Sequence, residues 1–210
     1  MYIIIPARFE SKRFPGKPLA LINGIPIIQH TWNNAIKVTE NVVIATDNLL
    51  IYDRARKFGA TVIMTDACEN GTERVYEAAS MMTLTDDELI INLQSDEPYL
   101  RSADIRYLSN SHVNQVSTLH YVMDDSSEHR VKMIVNKSFR AIYFTRHHLS
   151  LNIHVGIYAF RMHTLRMYHQ FKKSPMEEGL EQMRFIDNDI AIYTHEIPYT
   201  GHSIDVPEDL

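Results

Sequence analysis

Two spacings of apolar residues alternate along the first half of this chain. Unbroken apolar runs, Tyr2–Ile5, Val42–Thr46, Ala60–Met64 and Leu89–Leu93, read as buried strands. Between them apolar positions recur every three or four residues, from Pro26 to about Val38, over Leu49–Phe58 and over Thr72–Met82, and these stretches read as helices. Pro26 suits the first position of its helix, and Gly59 suits the C-terminal cap of the next. Apolar strands joined through helices predict an α/β fold with a mostly parallel sheet covered on both faces.

The second half changes character. Val116–Met123, Val131–Asn136, Ala141–Thr145 and Ile153–Phe160 are strand-like with few helices between them. Two helical stretches follow, His163–Phe171 and Glu177–Ile186, and a last strand, Ala191–Glu196, precedes Ser203–Leu210. The expectation is one domain over residues 1–210, with a smaller mixed or antiparallel insertion over about 116–160 as a second lobe or dimerisation element. No repeat, low-complexity segment or long linker interrupts it.

Composition narrows the classes. The 210 residues, 45% hydrophobic and 22% charged, suffice for one sizeable core. A net charge of -5 argues against a general nucleic-acid surface. No apolar run approaches the roughly 18 residues of a membrane span, and Arg8 and Glu10 interrupt any leader-like start. The single cysteine, Cys68, fits a reducing cytoplasm and reads as a small, partly buried residue rather than a nucleophile.

Against that acidic background, four cations (Arg8, Lys12, Arg13 and Lys17) fall within ten residues, among Pro and Gly residues that exclude a helix. A strand delivering such a loop to the top of a sheet suits a polyphosphate. Ligands of open parallel sheets bind at the carboxyl ends of the strands. The loops leaving those ends are Pro6–Leu19, 46–48, Thr65–Arg74 and Gln94–Arg101. In the third, Thr72 reads as an N-cap, and Arg74 in the first helical turn suggests either a bound anion or a salt bridge to Asp66 or Glu69. In the fourth, Gln94-Ser95-Asp96-Glu97-Pro98 sets carboxylates directly after a buried strand. A carboxylate there can hold a divalent cation that in turn holds phosphates, as Mg²⁺ does; it could also cap the helix that starts near Ser102. Asp205 is a second, weaker candidate. His147, His148 and His154 lie close together, without the cysteines or firm helical spacing of a zinc site; one of them reads as a substrate contact. Serine-hydrolase, P-loop and dinucleotide-binding motifs are absent.

These residues resemble a known family, the 3-deoxy-manno-octulosonate (Kdo) cytidylyltransferases, or CMP-Kdo synthetases. The matching segments are IIIPARFESKRFPGKPL (3–19), VVIATDN (42–48), NGTERVYEA (70–78), INLQSDEP (91–98), AIYFTR (141–146), HVGIYAF (154–160), LEQMR (180–184) and IDVPEDL (204–210). The resemblance implies a Rossmann-like, homodimeric, Mg²⁺-dependent nucleotidyltransferase serving lipopolysaccharide or capsule biosynthesis. In that reaction the sugar's 2-hydroxyl attacks the α-phosphorus of CTP and pyrophosphate leaves. By resemblance, Arg8, Ser11, Arg13 and Lys17 hold the triphosphate, with Lys17 and Arg13 stabilising the departing charge. Pro6 and Ala7 lie against the nucleotide and Arg74 helps to bind it. Asp96 and Asp205 coordinate Mg²⁺, and Gln94, Arg146, His154, Glu181 and Gln182 line the sugar pocket, which falls partly within 116–160.

Three departures stand out. Ser95 replaces a glycine usual in the family, and at an ordinary φ it would turn a hydroxyl toward the substrate. The His147–Ile153 stretch is shorter than usual, and the sequence ends at Leu210, where relatives continue. The first two bear on the sugar and make 8-amino-Kdo an alternative to Kdo. Another sugar acid, sialic-acid-like for instance, or a non-catalytic nucleotide-binding role are the competing readings.

Overall fold

β1 (Tyr2–Ala7) is the axis of the molecule. Its Ile3, Ile4 and Ile5 have no exposed surface, so both faces of the strand are covered. The computed structural model describes residues 1–210 apart from Lys12, residues 112–114 and residues 176–177. β1 pairs in parallel with β4 (Val42–Thr46) and β6 (Leu89–Leu93), and β5 (Thr61–Met64) pairs in parallel outside β4. Beyond β6 the direction reverses. β10 (Asn152–Arg161) runs antiparallel to β6 and to β7 (Val116–Val122), and β11 (Ile192–Glu196) follows parallel to β7. β9 (Arg140–Thr145) and β8 (Lys132–Val135) complete a nine-stranded mixed sheet.

Residues 116–160 thus supply four strands to the main sheet rather than a separate body. Two of them, β7 and β10, lie well inside it. The far end curls until β8 meets β10 at Lys132 and Ile153. Lys132, with no exposed surface, donates to the carbonyls of Ser127, Arg130 and Arg146 from inside that curl. A buried ammonium is tolerable only when its donors are satisfied in this way.

The alternation of the strands sorts the core into two layers. Ile3, Ile5, Ile44 and Ile91 face one way, against α1 (Ile27–Ala35), α2 (Leu49–Lys57) and α4 (Ser102–Asn110), through Ile28, Ile51 and Ile105. Ile4, Ala45 and Ile90 face the other way, against α3 (Gly71–Met81), α5 (Met162–Gln170) and α6 (Met183–Ile186), through Val75, Leu165 and Phe185.

Several expected boundaries move, each for a local reason. Pro26 precedes its helix instead of opening it. It ends β3 (Ile25–Pro26), which forms a short hairpin with β2 (Leu21–Ile22). The turn between them is Asn23-Gly24, both at positive φ, as a tight hairpin requires. Pro6 belongs to β1, not to the loop after it; it pairs with Ala45, while the β6 pairing ends at Ile4, so its missing N–H is not needed there. Asn70, not Thr72, caps α3, its side chain accepting from Glu73 N at 2.9 Å. The helix expected over Glu177–Ile186 shrinks to Met183–Ile186, because Gly179 at φ +60 turns the chain before it; Glu177 lies outside the described residues.

Phe160 on β10 is fully buried, with its ring centroid 6.2 Å from that of Phe185. Phe160→Ala is expected to cost about 3–5 kcal/mol of stability. The check is urea denaturation, where the midpoint falls with the slope unchanged.

Candidate functional site

The carboxyl ends of β1 and β6, the start of α3, the β10 strand and two later segments, 179–182 and 203–205, surround one cavity of about 290 Å³. Every residue to which the resemblance assigns a role lines it: Pro6, Ala7, Arg8, Ser11, Arg13 and Lys17 from the first loop, and Arg74 from α3. Gln94 and Asp96 come from the loop after β6, Arg146 and His154 from the β9–β10 region, and Glu181, Gln182 and Asp205 from the later segments. Lys12 lies outside the described residues.

Charges of opposite sign meet across this cavity. Gly16, at φ +73, turns the first loop back so that Lys17 enters a short 3-10 turn pointing inward. The buried Lys17 ammonium donates to an Asp96 carboxylate oxygen and, at 2.8 Å, to the Ile204 carbonyl. Arg13 donates to Asp205 Oδ1 at 2.6 Å, and Ser203 Oγ donates to Asp205 Oδ2 at 3.2 Å. Burial, reinforced by the neighbouring Asp96 charge, pushes the Asp205 carboxyl up, against the opposing pull of Lys17 and Arg13. Asp96 therefore does not cap α4, whose first turn carries the Arg101–Asp104 pair instead. Nor does Asp205 cap the chain's last turn; the Asp209 carboxylate does, accepting from the amides of Asp205 and Val206.

The salt bridge considered for Arg74 goes neither to Asp66 nor to Glu69 but to Asp47. Its guanidinium is buried, donating to Asp47 Oδ2 at 2.6 Å, Thr65 Oγ1 at 2.5 Å and the Asp66 carbonyl at 3.4 Å. The carboxylate it needs comes from the end of β4, which local sequence could not reveal. Arg74 also borders a second recess containing Asp47, Asn48 and Asp66. Cys68, bonded to Glu77, has its thiol pushed up to about 12 by burial first and by Glu77 next, which excludes it as a nucleophile at neutral pH.

The other half of the cavity is built from buried polar groups. Glu181 accepts from the Thr72 amide at 3.1 Å and from Gln94 Nε2 at 3.4 Å, and burial raises its carboxyl. Tyr168 OH donates to the Glu181 carbonyl, tying that segment to α5. Arg146 is held by Glu178, which accepts from its amide at 2.6 Å and through its carbonyl from the guanidinium at 3.1 Å. The other histidines of the cluster stand outside: His147 is exposed and His148 pairs with Asp124. Among the described residues no group of three or more His, Cys, Asp or Glu side chains could hold a metal.

One residue escaped the sequence reading. Glu97 lines the cavity, is 7% exposed, and accepts from the Gly156 amide at 2.7 Å. Burial first, then the Asp96 charge, pushes its carboxyl up to about 8. It stood beside Asp96 in QSDEP, and only the fold distinguishes which carboxylate turns into the β10 side. Ser95, also in the wall, has no positive φ, and its carbonyl accepts from Thr31 Oγ1 at 3.0 Å.

Comparison with known proteins places these features in a wider set. The family described as cytidylyltransferase matches residues 2–193. The chain is 36% identical over 229 residues to a 3-deoxy-manno-octulosonate cytidylyltransferase of Chlamydia trachomatis serovar L2, spanning 99% of this chain and 90% of that one. It is 34% identical over 231 residues to an 8-amino-3,8-dideoxy-manno-octulosonate cytidylyltransferase of Shewanella loihica, spanning 99% and 94%. The solved structure of CMP:2-keto-3-deoxy-manno-octonic acid synthetase complexed with CTP matches with a TM-score of 0.85 at 35% identity, over 99% of this chain and 93% of that one.

His154 lends itself to a direct test. Thr118 Oγ1 donates to the Ile157 carbonyl at 2.6 Å, so the contact at 3.1 Å is His154 Nε2–H donating to Thr118, which leaves Nδ1 as an acceptor. Desolvation, then nearby His120, pushes the His154 pKa down to about 3 from 6.5. Below pH 6.5 the unfolded chain therefore takes up a proton that the folded chain refuses, and stability falls as pH drops toward 3. Between pH 6 and 4 the wild type is expected to lose about 1.4 kcal/mol per pH unit relative to His154→Gln. Urea denaturation across that range measures the difference.

Proposed function

The chain belongs to the cytidylyltransferase family, and we propose that it couples CTP to a 3-deoxy-2-ulosonic acid, Kdo or its 8-amino analogue, releasing pyrophosphate. The observation that carries this reading is the cavity itself, where two cations of the first loop face two carboxylates from distant segments. The end-to-end similarity to Kdo and 8-amino-Kdo cytidylyltransferases supports the choice of substrates. The α/β sheet, parallel over β5, β4, β1 and β6, is of the Rossmann-like kind, with the site at its strands' carboxyl ends.

Phosphoryl transfer of this type asks the protein for positioning and charge neutralisation. Arg8, Ser11, Arg13 and Lys17 hold the triphosphate, and Lys17 and Arg13 neutralise the charge that grows on pyrophosphate as it leaves. Pro6 and Ala7 support the nucleotide, and Arg74, fixed by Asp47 and Thr65, borders it. Gln94, Arg146, His154, Glu181 and Gln182 take the sugar acid. Arg146 offers a cation to its carboxylate, and His154 and Glu181 offer acceptors to its hydroxyls.

Asp96 and Asp205 suit Mg²⁺: both are oxygen ligands in one cavity, and the burial that raises the Asp205 carboxyl, with the Asp96 charge adding to it, is a penalty that a bound cation would offset. Two protein carboxylates are few, as befits an ion that keeps waters and substrate oxygens as its other ligands. Mg²⁺ held there supplies charge neutralisation on the phosphates and acidifies the attacking hydroxyl. We also read the enzyme as a cytoplasmic homodimer, its contact built on the 116–160 region, where Val122, Leu149 and Leu151 are 50%, 63% and 50% exposed. No helix of the described residues is long and apolar enough to cross a membrane.

Pyrophosphate release from CTP with Mg²⁺ is expected with Kdo or 8-amino-Kdo, and not with N-acetylneuraminate, UTP or GTP. No release with any sugar acid would sink the enzymatic reading. Asp96→Asn is expected to keep the fold and to lower turnover by about 10²-fold or more, because a charged ligand is lost. Lys17→Ala is expected to lower the turnover number at saturating CTP as well as CTP affinity; an unchanged turnover number would confine Lys17 to binding.

A further inference from the structure

β10 is interrupted where it passes the cavity. It pairs with β7 up to Val155 and again from Tyr158, and the two residues between, Gly156 and Ile157, bulge out of the ladder. The loop after β6 grips this bulge through both polar groups of one residue. The Gln94 amide donates to the Gly156 carbonyl at 2.8 Å, and the Gly156 amide donates to Glu97 Oε1 at 2.7 Å. The fit leaves no space for a larger residue: a Cβ on Gly156 would stand 2.8 Å from Glu97 Oε1 and 3.1 Å from the Gln94 side chain. On either side of the bulge, His154 and Tyr158 both reach the cavity, their ring centroids 5.2 Å apart. A bulge of this kind re-aims side chains next to a site, and its geometry depends on whatever satisfies the displaced backbone groups.

We propose that Glu97 is a positioning residue for the sugar acid: by accepting from the Gly156 amide it fixes the β10 bulge, and with it the placement of His154 and Tyr158 in the cavity wall. The proposal rests on the assignment of His154 to the sugar pocket. Glu97 acts by reach rather than by charge, since its partner is a neutral amide. This separates it from its neighbour Asp96, whose partner is the Lys17 ammonium.

The test compares Glu97→Ala, Glu97→Gln, Glu97→Asp and His154→Gln by steady-state kinetics with CTP, Mg²⁺ and Kdo or 8-amino-Kdo. Calorimetric CTP affinity and melting temperature are measured alongside. Glu97→Ala leaves the Gly156 amide unpaired and is expected to raise the KM for the sugar acid by about ten- to a hundredfold, with CTP affinity within about twofold of wild type. Glu97→Gln keeps an acceptor of the same reach and is expected to recover the sugar KM to within about threefold of wild type. Glu97→Asp keeps the charge but falls one methylene short, and is expected to resemble Glu97→Ala; it also serves if the alanine variant does not fold. An unmoved sugar KM in both Glu97→Ala and Glu97→Asp, CTP affinity falling in step with it, or rescue by Asp and not by Gln each overturns the proposal. If His154→Gln raises the sugar KM while the Glu97 variants do not, Glu97's role alone fails. If His154→Gln leaves it unmoved, the sugar-pocket assignment fails and the proposal with it.

Discussion

The ammonium of Lys17 is the contact on which the rest of the site depends. It joins the loop after β1 to Asp96, 79 residues away, and to the Ile204 carbonyl, 187 residues away. The Ile204 amide donates in turn to the Asp96 carbonyl at 3.0 Å, so three segments close on one another. A lysine this buried would be strongly unfavourable alone, and its partners offset the lost hydration. The same contact places Asp205, next to Ile204, within reach of Arg13. Removing the lysine would therefore leave a carboxylate unpaired and also release the C-terminal segment that carries the second one.

The scaffold serves this contact through the ends of its strands. β1, β4 and β6 run in register as apolar strands, so the polar loops that follow them emerge at one level. β10 enters from the opposite direction and would present an unbroken ladder, were it not for the bulge at Gly156. One wall of the cavity is thus made by chain leaving the sheet, and another by a strand that deforms while staying in it. The first supplies charges on long side chains, suited to phosphates. The second supplies buried groups of defined geometry, suited to recognising hydroxyls by position.

How much of this was legible in the sequence follows from the range of the interactions. Val42–Thr46 and Leu89–Leu93 match their expected bounds because an apolar run limited by polar residues is a local signal. The Asn23-Gly24 hairpin carries an equally local signal, and it moves the helix start past Pro26. The helix expected before Ile186 failed because Gly179 and the burial of Glu181 and Gln182 outweigh helical periodicity. The residues to which the resemblance assigns roles line one cavity, yet the resemblance could not supply their partners. Arg74 takes Asp47 from the loop after β4, and Glu97 takes a backbone amide 59 residues away, and neither pairing leaves a trace in spacing.

The pairing of charges also bears on how the proposed site, with its two carboxylates, would accept a triphosphate. The cavity holds Asp96 and Asp205 against Lys17 and Arg13, so these four charges balance in pairs. In the proposed reaction the phosphates would draw the two cations away and strand two partly buried carboxylates, which a metal ion would then neutralise. Each partner thereby removes the penalty that the other's arrival creates. In that scheme nucleotide and metal would be linked in binding through the same ion pairs, and such a linkage is reciprocal because it is a free energy. On the proposed reading the loop from Pro6 to Leu19 is more than a phosphate cradle: Lys17 and Arg13 would exchange Asp96 and Asp205 for the arriving triphosphate.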